Sequence, residues 1–164
     1  MPSPIEWISE QWAGLAGPAL SALTGLQCRG EVGSGAPPED QDGLLHWRQG
    51  VDAAPGAAIH AAAGPAVWRK IGRLVLSAAG LDDAAEEEIR GTFLETLQQM
   101  LSPLGGALGG RFGREVNLLP GEKTGQAPGL EWAALTLSAD GEILGQLHIA
   151  ISPELAAGLD ATST

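Results

Sequence analysis

Residues 94–110, LETLQQMLSPLGGALGG, share a spacing with residues 9–25, SEQWAGLAGPALSALTG. Aligning the two stretches places identical residues at five pairs of positions, which are Glu10 and Glu95, Pro18 and Pro103, Ala22 and Ala107, Leu23 and Leu108, and Gly25 and Gly110. Repetition of a glutamate, a proline and a glycine at the same intervals indicates a duplicated helix–strand unit. The repeat therefore predicts a pseudo-twofold domain with two equivalent helices.

The first stretch lies in a segment with the pattern of an amphipathic helix. Apolar side chains recur every three or four positions across residues 5–24, and Gly25 ends the pattern. Because Pro18 lacks an amide proton, we expect it to kink this helix or split it in two. A second helix is predicted over residues 65–79, since Pro65 suits a first turn and an apolar stripe follows it.

The second stretch belongs to a third predicted helix, which begins at a cap formed by Asp82 or Asp83. Three glutamates at residues 86–88 favour the positive N-terminal end of a helix. The apolar stripe of this helix continues to Leu108, and we expect Pro103 to bend it.

Short alternating segments between the helices predict β-strands. These segments are 26–33, 44–51, 57–63, 114–119, 131–138 and 143–151, and the last two flank the hairpin turn Asp140-Gly141. Stretches rich in Gly and Pro predict loops at residues 33–43 and 120–129, and a short last helix starts at Ser152.

Runs of strands interrupted by helices are typical of an α+β fold with a largely antiparallel sheet. We therefore predict a pseudo-twofold antiparallel sheet with two long helices packed beside it. The chain is expected to form a single domain over residues 1–164, with repeat units at about 5–63 and 65–155 and a frayed tail at 160–164.

Charge and composition exclude several classes of function. The chain has 20 acidic and 9 basic residues, a formal net charge of −11, and such a surface repels nucleic acid and anionic membranes. Its apolar stretches are too short to span a bilayer, so no membrane insertion is expected. A single cysteine, Cys28, excludes an internal disulfide and suits a reducing, cytoplasmic setting.

No sequence motif indicates a cofactor or a metal ion. The three histidines, His46, His60 and His148, are scattered along the chain without ligand or triad spacing. We expect each of them to be a surface or hydrogen-bonded residue on a strand.

Two of the five tryptophans are predicted to lie at an interface with another protein. Tryptophan is enriched in the parts of interfaces that contribute most to binding. Trp7 is selected because it lies near the chain start, and Trp68 because it lies beside Arg69 and Lys70.

The repeat and the C-terminal hairpin resemble the chemotaxis phosphatase and flagellar switch superfamily. That superfamily includes CheC, CheX and the CheC-like domains of FliM, FliY and extended FliN. The segment Gly91-Thr-Phe-Leu-Glu-Thr-Leu97 is most similar to the N-terminal domain of an extended FliN. The resemblance implies a pseudo-symmetric fold in which two long helices lie beside an antiparallel sheet.

The motif of the active superfamily members is only partly present. Each of their long helices carries Asp or Ser, then Glu four residues later, then Asn three residues after that, and Glu and Asn act on the phosphoaspartate of CheY. The resemblance places Glu95 at the glutamate position, but Gln98 stands in place of Asn and Gly91 in place of Asp or Ser. In the first helix Glu10 matches the glutamate, whereas Ala13 replaces Asn.

Three functions follow as hypotheses. The first is a non-catalytic flagellar switch or chemotaxis domain that docks to switch subunits or to CheY, at the cytoplasmic face of the flagellar basal body. The second is a weak CheY-phosphate phosphatase that uses Glu95 and Gln98, and the third is an acidic scaffold unrelated to motility. Ala13 and Gln98 favour the first over the second, and the repeat favours both over the third. Self-association of the chain is left open.

Overall fold

The computed structural model describes residues 2–38, 42–127 and 129–162. Within these ranges the helices are α1 (Pro4–Thr24), α2 (Pro65–Ala78), α3 (Glu86–Leu101), α4 (Leu104–Phe112) and α5 (Pro153–Ala161). The strands are β1 (Cys28–Ser34), β2 (Leu45–Val51), β3 (Ala58–Ala63), β4 (Leu118–Thr124), β5 (Trp132–Ala139) and β6 (Glu142–Ile151).

The strands form one antiparallel sheet with the order β1-β5-β6-β3-β2-β4. Two hairpins, β2–β3 and β5–β6, meet at the centre of the sheet through the pairing of β3 with β6. Each edge strand then joins the hairpin of the other half, because β1 pairs with β5 and β4 pairs with β2. This order is symmetric about the centre, and it confirms the predicted α+β fold with a pseudo-twofold antiparallel sheet.

The core lies between one face of the sheet and the helices. On β3, the core includes Ile59, Ala61 and Ala63, which alternate with residues on the opposite face. The two long helices α1 and α3 pack side by side, and the buried Trp12 Nε1 of α1 donates to the Met100 carbonyl of α3 at 3.0 Å. This bond satisfies the buried indole N–H.

Helix α3 begins later than the sequence predicted. Its N-cap position is Ala85, and neither Asp82 nor Asp83 caps it. Asp82 accepts a hydrogen bond at 2.6 Å from the Ser77 hydroxyl, so this carboxylate is bound to the end of α2 instead. The predicted glutamates at 86–88 do form the first turn, where they offset the missing cap.

The two prolines of the repeat have different effects. Pro18 lies inside α1, which is continuous through it, so the predicted split does not occur there. At Pro103 the predicted single helix is interrupted by a turn that separates α3 from α4. Two glycines follow in the first turn of α4, whereas Ala19 and Leu20 follow Pro18, and glycine favours a continuous helix least.

Strand β4 begins four residues later than the predicted strand at 114–119 and covers part of the predicted loop at 120–129. Residues 114–117 are held by other contacts, since Asn117 pairs with Asp52 and the Val116 carbonyl packs close to Gly105. Pro120 falls in the predicted loop, but β4 is an edge strand, and proline is tolerated there.

The C-terminal segment is more ordered than the predicted fraying at 160–164. Helix α5 continues to Ala161, and Arg111 donates to the Thr162 hydroxyl at 2.6 Å and to the Leu159 carbonyl at 2.9 Å. Ser163 and Thr164 lie outside the described residues, as do Glu39 and Asp40 of the predicted loop at 33–43. In the described part of the chain, each helix is too short or too polar to cross a bilayer.

Two glycines in α1 provide a matched test of how closely this helix approaches β1. A β-carbon on Gly17 would lie 2.7 Å from the Cys28 carbonyl oxygen, whereas one on Gly14 would meet nothing within 4 Å. We expect Gly17→Ala to lower the free energy of unfolding by about 1–3 kcal/mol, through the clash with backbone. Gly14→Ala should raise it by about 0.5–1 kcal/mol, through helix propensity.

Urea denaturation of both variants measures these changes. Equal effects of the two substitutions would contradict a close contact between α1 and β1.

Candidate functional site

A groove between α3 and the edge strand β4 contains the residues of the partial motif. It has a volume of about 450 Å³ and is lined by Trp47, Gly91, Leu94, Glu95, Gln98, Gln99 and Lys123. We call it the α3–β4 groove. The register of the sheet creates it, because Trp47 of β2 lies directly opposite Lys123 of β4 on the face covered by helices.

The side chain of Gln98 is bound to the edge strand. Its Oε1 accepts a hydrogen bond at 3.3 Å from the backbone N–H of Gly121 in β4. A β-carbon at Gly121 would overlap the Trp47 ring, so glycine allows the indole to lie against the strand. Gln98 therefore links α3 to β4 at the floor of the groove.

The indole of Trp47 is fixed by a second polar contact. Its Nε1 donates to Oε1 of Gln49 at 3.0 Å, and both side chains are buried. A buried indole N–H without a partner would destabilise the fold, so Gln49 sets the orientation of the ring. The ring thereby forms a rigid apolar wall of the groove.

The rim of the groove carries charges of both signs. Glu95 lies on the exposed face of α3, one turn before the half-buried Gln98, and Lys123 is exposed on β4. The predicted positions of Glu95 and Gln98 on one helix face are thus found in the structure. A rigid aromatic wall with a carboxylate, an ammonium and an amide around it provides the groups typical of protein recognition sites.

The equivalent motif positions in the first half have different surroundings. Glu10 is exposed on α1, as Glu95 is on α3. Ala13, however, lies against β1, where a β-carbon on Gly30 would come within 2.9 Å of the Ala13 carbonyl oxygen. The helix and the edge strand are in direct contact there, and no side-chain amide is available.

The two tryptophans selected from sequence lie elsewhere. Trp68 is 0% exposed, and its Nε1 donates to the Gly43 carbonyl at 2.8 Å. Its ring lies 5.0 Å from the guanidinium carbon of Arg69 and 5.3 Å from that of Arg90. The structure therefore places Trp68 in the core rather than on a surface, because its stripe position faces α3.

Trp7 is half-buried in α1. The guanidinium carbon of Arg111 lies 4.7 Å from the centre of its ring. Trp7 thus packs against the arginine that binds the C-terminal helix, and it lies outside the α3–β4 groove.

The three histidines, which are scattered in the sequence, lie on one face of the sheet. His46, His60 and His148 belong to β2, β3 and β6, which are adjacent strands. Among the described residues, no three His, Cys, Asp or Glu side chains are arranged to hold a metal ion. The sequence contains no local signal for this cluster, because strand register alone brings the three residues together.

No protein-family model matches the sequence, and no curated protein matches it. Solved structures do match the fold. FliY from Thermotoga maritima superposes with a TM-score of 0.75 and 14% sequence identity, covering 99% of this chain and 96% of that chain. The chain has the CheC-like fold. The FliM middle domain from H. pylori also shares this CheC-like fold, with a TM-score of 0.63 and 9% identity over 97% of this chain and 95% of that chain.

A third CheC-like structure is CheX from Borrelia burgdorferi, solved in a complex with CheY, BeF3 and magnesium. It matches with a TM-score of 0.55 and 12% identity, over 90% of this chain and 97% of that chain. The CheC-like structures that resemble this chain thus include both switch proteins and a chemotaxis protein bound to CheY. At these identities the comparison establishes the fold, and function has to be argued from the groove.

The link between Gln98 and Gly121 leads to a stability prediction. Gln98→Ala removes the acceptor of a partly buried backbone N–H, so we expect the free energy of unfolding to fall by about 1 kcal/mol. The neighbouring Gln99 is exposed, and Gln99→Ala should change stability by less than about 0.5 kcal/mol. Chemical denaturation of the two variants in parallel measures the difference. Equal stabilities would show that this hydrogen bond does not tie α3 to β4.

Proposed function

We propose that this chain is a non-catalytic CheC-like domain of the flagellar switch or chemotaxis system, formed by residues 1–164. It docks to a switch subunit or to CheY through the α3–β4 groove. The observation that carries the proposal is the hydrogen bond between Gln98 Oε1 and the Gly121 N–H, which engages the only amide at a motif position of either long helix.

Catalysis of phosphoryl transfer depends on placing an attacking water in line with the phosphorus atom. Gln98 carries its amide one methylene further from the backbone than asparagine does, and its oxygen is directed to β4. A displacement of about 1 Å can cost on the order of 100-fold in rate. The first half offers no amide at the motif position, where Ala13 stands. These features support docking without hydrolysis.

The groove has the properties of a protein-binding site. Trp47 and Leu94 supply apolar surface, and the fixed indole loses little conformational entropy on binding. Glu95 and Lys123 on the rim can set the orientation of a partner through complementary charges. A partner surface with an apolar side chain flanked by a basic residue fits this arrangement.

The choice of partners comes from the structures with the same fold. They include FliY, FliM middle domains and CheX in complex with CheY. We accordingly propose a cytoplasmic location at the face of the flagellar basal body, where switch subunits and CheY meet. Self-association of the chain remains part of this proposal, and light scattering measures it.

Charge reversal on the rim tests docking. Glu95→Arg should weaken binding to a switch subunit or to CheY by about tenfold or more, because it reverses a rim charge beside the apolar wall. Binding is measured by calorimetry with purified FliM, FliY or FliN-type subunits and with phosphorylated CheY from the same organism, after light scattering establishes the mass of the chain alone. Glu10→Arg is the matched control, since Glu10 is also an exposed glutamate, on α1.

The binding of these two variants distinguishes docking at the α3–β4 groove from a general effect of charge. Loss of binding by the Glu95 variant alone supports the α3–β4 groove, and equal loss by both variants indicates a general charge effect. Absence of binding to every one of these proteins would overturn the proposal.

A weak CheY-phosphate phosphatase is the second candidate, because Glu95 and Gln98 line the same groove. The chain would then accelerate phosphate loss from phosphorylated CheY, and Glu95→Ala would abolish the acceleration. Under the docking proposal the wild-type chain leaves this rate unchanged. Gln98→Asn provides a further comparison. Its shorter side chain cannot reach Gly121, so we expect this variant to raise any residual rate of phosphate loss from CheY.

A further inference from the structure

The sheet has a second face, opposite the one that packs on the helices. We call it the histidine face, because it carries all three histidines of the chain. In the strand register, His46 of β2 lies opposite Ala62 of β3, and Ala62 lies opposite His148 of β6. In the adjacent row Arg48 lies opposite His60, and His60 lies opposite Ala150.

One aromatic side chain crosses this face. The ring centres of Trp132 and His46 are 6.3 Å apart in a T-shaped contact, although Trp132 belongs to β5 and His46 to β2. Strands β6 and β3 lie between them, so both side chains must lean across the sheet toward each other. Only small residues beneath the two rings permit this contact. The residues there are Ala62 and Ala150, which are 1% and 0% exposed.

The histidines are packed in ways that disfavour the charged form. Burial is the main cause that lowers the pKa of His60. The positive charge of Arg48 and the neighbouring His46 lower this pKa further. Burial also lowers the pKa of His46. His148 Nδ1 lies 3.3 Å from the Gly35 carbonyl oxygen and donates to it, which offsets part of the pKa lowering that burial causes at this residue.

We propose that the histidine face is an acid-sensitive element of this fold. At neutral pH the uncharged imidazoles pack with Trp132 over the alanines. As the pH falls, protonation places positive charges on partly buried imidazoles and, at His60, beside Arg48, and the packing of this face loosens. The proposal stands on the strand register and on the Trp132–His46 contact, and it does not depend on the docking function.

The other charged groups on this face do not neutralise the cluster. On the edge strand β4, Glu122 lies opposite Arg48, one strand further from His60. At the other edge, β1 contributes Arg29 and Glu31, which lie opposite Ser138 and Thr136 of β5. Glu122 is therefore the nearest carboxylate in register, and Arg48 stands between it and His60 in the row of strand partners.

The direction of the pH effect follows from the lowered pKa values. The unfolded chain takes up protons near pH 6.5, whereas the folded chain takes them up only at lower pH. The unfolded state therefore binds more protons in this interval, and stability must fall with the pH. The contribution is fully present above pH 6.5 and is lost as the pH drops through and below this value.

Thermal unfolding tests the proposal on the intact chain. Between pH 7.5 and pH 5.5 we expect the wild-type Tm to fall by at least about 3 °C more than the Tm of His60→Gln. The carboxylates titrate equally in both proteins, so the difference isolates His60. An identical pH dependence of the two proteins would overturn the proposal.

NMR titration of the histidine ring protons provides a second measurement. If His60 had only a structural role, the changes expected here would not be seen. In the wild type, His60 should titrate below pH 6.5, and Arg48→Gln should move its midpoint upward because a neighbouring positive charge is removed. Glu122→Gln is the matched control and should move the midpoint less. The Trp132 indole signal, assigned with Trp132→Phe, should shift with the histidines. A His60 midpoint unaffected by Arg48→Gln, or a static Trp132 signal, would overturn the proposal.

Discussion

The exchange of edge strands between the two halves of the chain is the constraint on which the other features depend. Strand β1 of the first half completes the sheet beside β5 of the second half, and β4 does the same beside β2. Neither half can form its own three-stranded sheet in this arrangement, so backbone hydrogen bonding requires both halves at once. The long helix of each half is thereby placed beside an edge strand that the other half holds.

A single difference between the halves distinguishes their two motif positions. In the first half α1 touches β1 directly, because Ala13 and Gly30 leave no space between backbone and helix. In the second half Gln98 separates α3 from β4 and binds the Gly121 N–H. The pseudo-symmetry of the fold therefore does not extend to the side chains at the motif positions, and at the second of them Trp47, Glu95 and Lys123 surround the groove.

The two faces of the sheet serve different purposes. One face packs on the helices with large apolar side chains, while the middle of the other carries Ala62 and Ala150, with Trp132 and the histidines around them. An antiparallel sheet can leave one face to solvent, and small residues there allow side chains to lie flat across several strands. The surface that results contains imidazoles in an environment that disfavours their charge, which links its packing to pH.

Much of the fold could be predicted from local patterns in the sequence. The helices, the β5–β6 hairpin and the placement of Glu95 and Gln98 on one helix face follow from periodicity and spacing, which are short-range properties. The structure buries Trp68 in the core instead of leaving it on a surface, and strand β4 spans Leu118–Thr124 where the sequence predicted 114–119. The side of a helix that becomes buried and the position at which an edge strand pairs depend on elements distant in the chain.

The sequence by itself determined the order of the elements, their approximate ends and the pseudo-twofold architecture. Only the tertiary structure placed Trp47, Lys123 and Gly121 beside α3, and only the strand register gathered the three histidines on one face. The physical reason is that helix and turn formation depend on neighbours within a few residues. Cross-strand contacts join residues such as His46 and Trp132, whose separation along the chain leaves no periodic signal.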